Sequence, residues 1–402
     1  MNTVGENDRK IGKLLHNKLQ HYALQYKHEL LDNILPFWLL HSKDEQNGGY
    51  FTCLSRSGQV YDTDKFMWLQ GRAVWCFSFM YNNIAPHKAW LDMALHGAKF
   101  MQQYGRDAEG NWYFSLTADG KPLVQPYNIF SDCFATMAFA ALHKAMPVDA
   151  YKEIALQTFE NIIKRQHNWK GNYNKAYPGT RNLKNFSLPM ILCNLSLELE
   201  PIIGKERVDS FIPNIIHEVM EVFYQPKLGL ILENVYEDGS FCNSFEGRLI
   251  NPGHTIEAMW FIMDLGKRTN NNALIEKACN IMLRTLEYGW DEQYGGIFYF
   301  LDVMNVPPQQ LEWDQKLWWV HVEALVALAK GYQYTQNEQC AIWFKKVHDY
   351  TWAHFKDTEH GEWYGYLNRR GEVLIDAKGG KWKGCFHIPR SLYQVWKTLA
   401  DE

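Results

Sequence analysis

Two kinds of apolar pattern alternate along the chain. Stretches such as Ala89–Tyr104 and Asn271–Leu286 place apolar side chains three and four residues apart with Lys and Arg on the opposite face. That spacing predicts amphipathic surface helices. Other stretches are apolar almost all round and predict buried helices: Trp68–Tyr81, Phe130–His143, Pro189–Leu199, Pro252–Leu265, Trp318–Tyr332 and Pro389–Leu399. Between each amphipathic stretch and the buried one after it, a glycine leads into aromatic or apolar alternation. It recurs as Gly49-Tyr50-Phe51, Gly110-Asn111-Trp112, Gly171-Asn172-Tyr173, Gly229-Leu230-Ile231, Gly296-Ile297-Phe298 and Gly361-Glu362-Trp363, at spacings of 61, 61, 58, 67 and 65 residues. Several copies close with hairpin chemistry, at Arg56-Ser57-Gly58, Asp119-Gly120, Asp238-Gly239 and Arg370-Gly371.

An amphipathic helix, a hairpin loop and a buried helix, repeated six times, predict an all-α fold, an (α/α)6 toroid with short β-hairpin loops at one end. The apolar helices would form its inner ring. An open helical solenoid fits less well, because its repeats are shorter and its loops simpler. No Pro/Gly/Ser-rich linker interrupts the 402 residues, so residues 1–402 are expected to form one domain.

Composition narrows the function classes. The chain is 47% hydrophobic and 21% charged, with a net charge of −4 at pH 7, which gives no reason to expect nucleic acid or an anionic membrane as partner. The opening residues lack the apolar core of a signal peptide, and no run is long enough for a membrane span. The eight cysteines are scattered without a CxxC pair and read as buried thiols of a reducing cytosol, so a cytoplasmic protein is expected. Sixteen Trp and 22 Tyr exceed what a core needs, and flat rings suit sugar faces.

Candidate chemistry collects where the inner helices begin. Asn251 and Pro252 are an N-cap and a first helical residue, so His254 falls in a first turn, where the helix dipole disfavours an imidazolium. Relative to the repeat glycines, Arg72, His254, His321 and His387 lie 23, 25, 25 and 26 residues on. Ser131, Asp132, Glu257, Trp318, Trp319, Glu323 and Arg390 share that level. So many charges at one depth of a buried ring point to a polar pocket. Glu257 stands three residues after His254 and could orient it; Arg390 stands three after His387 and could hold a substrate oxygen. Each residue also has a structural reading: His254 as a hydrogen-bonded core histidine, Arg72 with Glu323 as an ion pair, His321 as packing, Ser131 and Asp132 as helix caps. Cys385 has no evident base beside it. Phosphate loops, GxGxxG and HExxH are absent, and the dispersed histidines do not argue for a metal. The basic loop from Arg165 through Lys170 to Lys175 could receive an anion or simply be solvated.

The segments GGYFTCLSRSGQVYDTDKFMWLQGRAVW, PYNIFSDCFATMAF, EGRLINPGHTIEAMWFIMD, LEWDQKLWWVHVEALVALAKGY and GEWYGYLNRRGEVLIDAKGGKWKGCFHIPR resemble the N-acylglucosamine 2-epimerase family over nearly the whole chain. The resemblance implies the toroid, a homodimer, and reversible interconversion of N-acetylglucosamine and N-acetylmannosamine, a sialic acid precursor. It implies a catalytic pair at His254 and His387 and binding roles for Arg72, Glu323 and Arg390. It also implies ATP as an allosteric activator that is not consumed, for which Arg165, Lys170 and Lys175 are the candidate contacts. Cellobiose 2-epimerases and aldose–ketose isomerases share the ring but commonly carry a histidine on the third inner helix. Here that helix reads FSLPMILCNLSLEL, without one, which favours the acylamino-sugar branch.

Inverting C2 of such a sugar requires ring opening, a base for the C2 proton, cationic or hydrogen-bonding groups for the enolate oxygen, and an acid on the other face. His254 and His387 are expected to exchange the acid and base roles, Arg72 to hold the enolate oxygen, Glu323 to assist ring opening, and Glu257, Arg390, Trp318 and Trp319 to position the sugar. Neither a redox cofactor nor a metal is needed. The rivals are a sister epimerase or isomerase for free hexoses or cellobiose, a glycoside hydrolase using Asp132 and Glu323, and a non-catalytic sugar-binding protein.

Overall fold

The computed structural model of the chain describes residues 20–168, 170, 176–177 and 179–400. Helices α1 (20–41, with a π turn at Glu29–Ile34), α3 (Lys88–Tyr104), α5 (Asp149–Arg165), α7 (Lys205–His217), α9 (Asn272–Gly289) and α11 (Glu338–His354) form an outer ring. Helices α2 (Met67–Asn83), α4 (Phe130–Ala145), α6 (Ser187–Ile203), α8 (Pro252–Arg268), α10 (Trp318–Thr335) and α12 (His387–Leu399) form an inner one. The expected (α/α)6 toroid is therefore what the chain adopts.

The two patterns explain the two rings. On α3 a single stripe is buried (Trp90, Met93, Ala94, Gly97, Ala98, Phe100 and Met101), as an amphipathic helix requires. Along α8, by contrast, only His254 and Asp264 between Pro252 and Gly266 are not fully buried. Inner helices pack in sequence, α2 on α4, α4 on α6, α6 on α8, α8 on α10 and α10 on α12. The circle closes where Trp75 and Phe79 of α2 meet Phe386 and Tyr393, with ring centroids 5.2 and 4.9 Å apart.

Passage from an inner helix to the next outer one is short, whereas passage from outer to inner carries the hairpins. The hairpins thus gather at the end where the inner helices begin. Strands just before inner helices pair antiparallel with the next repeat: Lys65–Phe66 with Ser115–Leu116, Leu183–Asn185 with Asn234–Tyr236, Leu249–Ile250 with Leu301–Asp302, and Lys316–Leu317 with Tyr366–Leu367. The turn glycines Gly58, Gly120, Gly239 and Gly371 take φ of 84°, 88°, 81° and 84°, as hairpin turns demand. Gly171, the third repeat glycine, lies outside the described residues. All eight cysteines are buried and free, and no described helix is long and apolar enough to cross a membrane.

Candidate active site

The first turn of α8 forms as its sequence predicts. Asn251 Oδ1 accepts the His254 backbone N–H at 3.2 Å, and Pro252 occupies the first helical position. This cap places the His254 ring at the mouth of the toroid. Its Nδ1–H donates to the two carboxylate oxygens of Glu233 at 3.1 and 3.0 Å. Glu233 comes from the fourth hairpin segment and is 5% exposed. Burial pushes the His254 pKa down, but the facing carboxylate reverses this, and the net shift is upward.

Two expectations are corrected here. The helix dipole does not keep His254 neutral, because a directly bonded carboxylate outweighs an effect of about 0.3–1 kcal/mol. Glu257 does not orient His254 either; it accepts from Arg390 Nη2. The side chain of Glu233 does that work. Its sequence signal was a carboxylate interrupting the apolar run Leu230-Ile231-Leu232 before Val235.

His387 begins α12 and is held from α10. Its Nδ1–H donates to Glu323 Oε1 at 2.8 Å. That same oxygen accepts Arg390 Nη2 at 2.7 Å and Ser391 Oγ at 3.2 Å, while Oε2 accepts Trp260 Nε1 at 2.9 Å. Trp260 is a second participant that the sequence reading missed. Burial dominates the His387 pKa, and the Arg72 and Arg390 charges add to it against the pull of Glu323, lowering it to about 3. Side-chain atoms of Glu257, Glu323 and His387 lie within 4.8 Å of one another. Such a group attracts a cation, and the guanidinium of Arg390 bonds both carboxylates.

Trp319 joins the two imidazoles. Its ring centroid is 5.4 Å from that of His254 and 5.7 Å from that of His387, so both border one indole and lie within the sum of those distances. Gly253 makes this possible, since a Cβ there would come 2.6 Å from Trp319 Cη2. Trp318 stands edge-on to His387 at 6.4 Å. Arg72 comes from α2, its guanidinium 4.4, 4.0 and 4.7 Å from the ring centres of Trp68, Phe134 and Phe386. Its Nε is buried with no hydrogen-bond partner among the described residues. The ion pair with Glu323 is not formed, because Arg390 occupies that carboxylate.

The remaining candidates differ in their surroundings, and Ser131 Oγ is buried with no hydrogen-bond partner among the described residues. Ser131 and Asp132 are not the N-cap of α4: Ile129 holds that position, and Asn128 just before it accepts the Phe130 N–H on Oδ1 at 2.9 Å. Asp132 instead accepts Arg165 Nη1 at 3.2 Å, and the same nitrogen donates to Asn111 at 2.9 Å. His321 is fully buried, donating from Nδ1 to the Leu317 carbonyl at 2.7 Å and accepting the Ile297 N–H at Nε2 at 3.0 Å. Cys385 lies 3.6 Å from the Cys76 sulfur, and burial pushes its thiol up. In the basic loop, Arg165 is turned inward to Asp132, Lys170 is exposed, and Lys175 lies outside the described residues.

Two imidazoles, each fixed at Nδ1 by a carboxylate, retain Nε2 for proton exchange, and the buried cation Arg72 lies near enough to His387 to help lower its pKa. That set suits proton transfer at a carbon beside a carbonyl. The family model described as N-acylglucosamine 2-epimerase (GlcNAc 2-epimerase) matches residues 49–390. The chain is 38% identical to the N-acylglucosamine 2-epimerase of Rattus norvegicus, covering 92% of this chain and 90% of the relative. It is 25% identical to a cellobiose 2-epimerase of Ruminococcus albus, covering 94% and 99%. The structure of cellobiose 2-epimerase from Bacillus thermoamylovorans superposes with a TM-score of 0.81 at 21% identity, over 94% of this chain and 99% of that one.

Proposed function

The chain belongs to the N-acylglucosamine 2-epimerase family, and from that premise we propose that it interconverts N-acetyl-D-glucosamine and N-acetyl-D-mannosamine by inverting C2. The observation that carries the reading is the placement of the His254 and His387 rings against the one indole of Trp319. Opening of the pyranose exposes an aldehyde at C1, which acidifies the C2 hydrogen. One imidazole takes that hydrogen as a proton, and the C–H electron pair passes into the enolate, whose oxygen develops charge next to Arg72. The other imidazole returns a proton to the opposite face, and the reverse reaction exchanges their roles.

Glu323, Glu257 and Arg390 are tied to one another, so in this reading they act chiefly by fixing His387, while Trp318 and Trp319 supply flat surface for the sugar. Residues 1–402 act as one epimerase domain. ATP as an allosteric activator, contacting Arg165, Lys170 and Lys175, a homodimeric assembly, a cytoplasmic location and the supply of a sialic acid precursor complete the reading.

The second reading is a sister epimerase or isomerase for cellobiose or free hexoses, favoured by the fold shared with cellobiose 2-epimerases. Turnover of N-acetylmannosamine, mannose and cellobiose by the same preparation decides between them. The reading requires the N-acetylated sugar to have the highest kcat/KM. A higher value for either of the others overturns it, and no turnover of any returns the protein to the sugar-binding class.

A further inference from the structure

The two histidines occupy equivalent helix starts, but the carboxylates behind them are unequally burdened. Glu323 accepts Arg390, Ser391 and Trp260 as well as His387, so a guanidinium already neutralises it. The Glu233 carboxylate accepts His254 Nδ1–H on both oxygens and forms no ion pair with any described Lys or Arg. The charged surroundings differ in the same sense. His254 feels Glu233 from the hairpin and Glu257 on its own helix, whereas His387 feels Arg72 of α2 and Arg390 of its own helix against the single carboxylate of Glu323. Exposure follows suit: the His254 side chain is 25% exposed and that of His387 only 9%.

Resting on the two-imidazole reading, we propose that Glu233 is the positioning residue that makes His254 the proton carrier of the empty enzyme and leaves His387 as its proton-free partner. The enzyme then waits polarised. His387 Nε2 takes the C2 hydrogen as a proton while the C–H electron pair enters the enolate, and His254 Nε2–H delivers its proton to the other face. Product leaves with His387 protonated and His254 neutral, and exchange of one proton with water at each ring restores the resting form. The epimer that presents its C2 hydrogen to His387 meets the enzyme ready. The other must find the reversed, less populated form. Glu233 has no part in this except through His254.

The test is a titration of the full chain carrying ¹³Cε1-labelled histidine, with His254→Asn and His387→Asn used only to assign the two resonances. In the unliganded wild type, His254 should hold its proton above the ordinary histidine value of about 6.5, and His387 should stay neutral across the neutral range. In Glu233→Gln the His254 transition should fall by about one pH unit, a ~10-fold loss of proton affinity, with His387 unmoved. The alkaline limb of kcat/KM, set by loss of the His254 proton, should move to lower pH by the same interval, with KM nearly constant. Glu233→Asp keeps the charge and should recover part of both shifts; it also serves as the probe if Glu233→Gln does not fold. An unchanged His254 transition in Glu233→Gln, or a wild type in which His387 is the protonated ring, overturns the proposal. Because the titration needs no turnover, it is separable from the reading beneath it, which fails instead if His254→Asn still epimerises.

Discussion

Lys65 and Arg72 are seven residues apart, and both are buried cations, but among the described residues only Lys65 touches an anion, while Glu257 and Glu323 act on Arg72 from beyond ion-pair distance. Lys65 reaches Asp44 Oδ2 at 2.7 Å beneath the first hairpin, and the other oxygen of Asp44 caps the backbone N–H groups of Gln46 and Asn47. The device recurs around the crown: Lys316 pairs with Asp291 at 3.1 Å below the fifth hairpin, and Lys378 with Asp357 at 2.8 Å below the sixth. Arg72 at the mouth is walled by three aromatic rings and meets no carboxylate within ion-pair distance among the described residues. An unpaired buried charge is costly, so a fold that pairs its structural lysines and leaves this arginine open keeps the latter for negative charge that arrives with a ligand. Closure of the hydrogen bonds separates the charges that hold the ring from those that work in it.

The contrast can be broken from the structural side first. Asp44→Ala strands Lys65 without a partner and should lower unfolding free energy by about 3–5 kcal/mol, read from urea denaturation, while kcat of the folded enzyme stays at its wild-type value. Arg72→Met inverts that pattern. Loss of a group that stabilises developing oxyanion charge should reduce kcat by about 10²–10³-fold, with only a small fall in the urea midpoint, from its aromatic contacts, because no ion pair is broken. A stability loss comparable to that of Asp44→Ala would place Arg72 among the structural charges after all.

Acid provides a gentler probe. Burial pushes the Asp44 and Asp291 carboxyls up, but Lys65 and a backbone donor at Asp44, and Arg369, Lys316 and a backbone donor at Asp291, more than offset it, so both have pKa values below the ordinary one. For a lowered carboxyl pKa, the added stability is complete above about pH 4 and drains away as pH falls through the lower, folded value. Asp44→Asn should therefore lose stability less steeply than wild type below pH 4, measured as urea midpoint against pH. The smallest change is expected when both charges go and the cap stays. Lys65→Met with Asp44→Asn removes both charges, leaves an amide oxygen for the Gln46 and Asn47 N–H groups, and should return close to wild-type stability.

How far the chain could be read without coordinates follows from the same contrast. Repeating periodicity and turn glycines are local signals, and they located the helices to within a few residues; the Asn251 cap and the Pro252 start of α8 formed as read. Partner choice is not local. Glu257 sits a convenient three residues from His254, yet it bonds Arg390 on another helix, and the true partner, Glu233, stands 21 residues upstream in a hairpin. The same blindness reads Ser131 and Asp132 as caps, although the helix starts one residue earlier, at Phe130 after Ile129, and the Asp132 partner Arg165 stands 33 residues downstream. It also gave the wrong sign for His254: dipole and burial can be anticipated from helix position, whereas an opposing carboxylate from another segment cannot.

The account stands most directly on C2-hydrogen exchange by the two histidine variants. His254→Asn and His387→Asn, each incubated in D2O with either epimer, should have lost net epimerisation by a factor on the order of 10²–10⁴. Each should nevertheless wash deuterium into C2 of one epimer alone, the one whose hydrogen faces the surviving imidazole, and the two variants should choose opposite epimers. Epimerisation near the wild-type rate by either variant, or exchange of the same epimer by both, would contradict it.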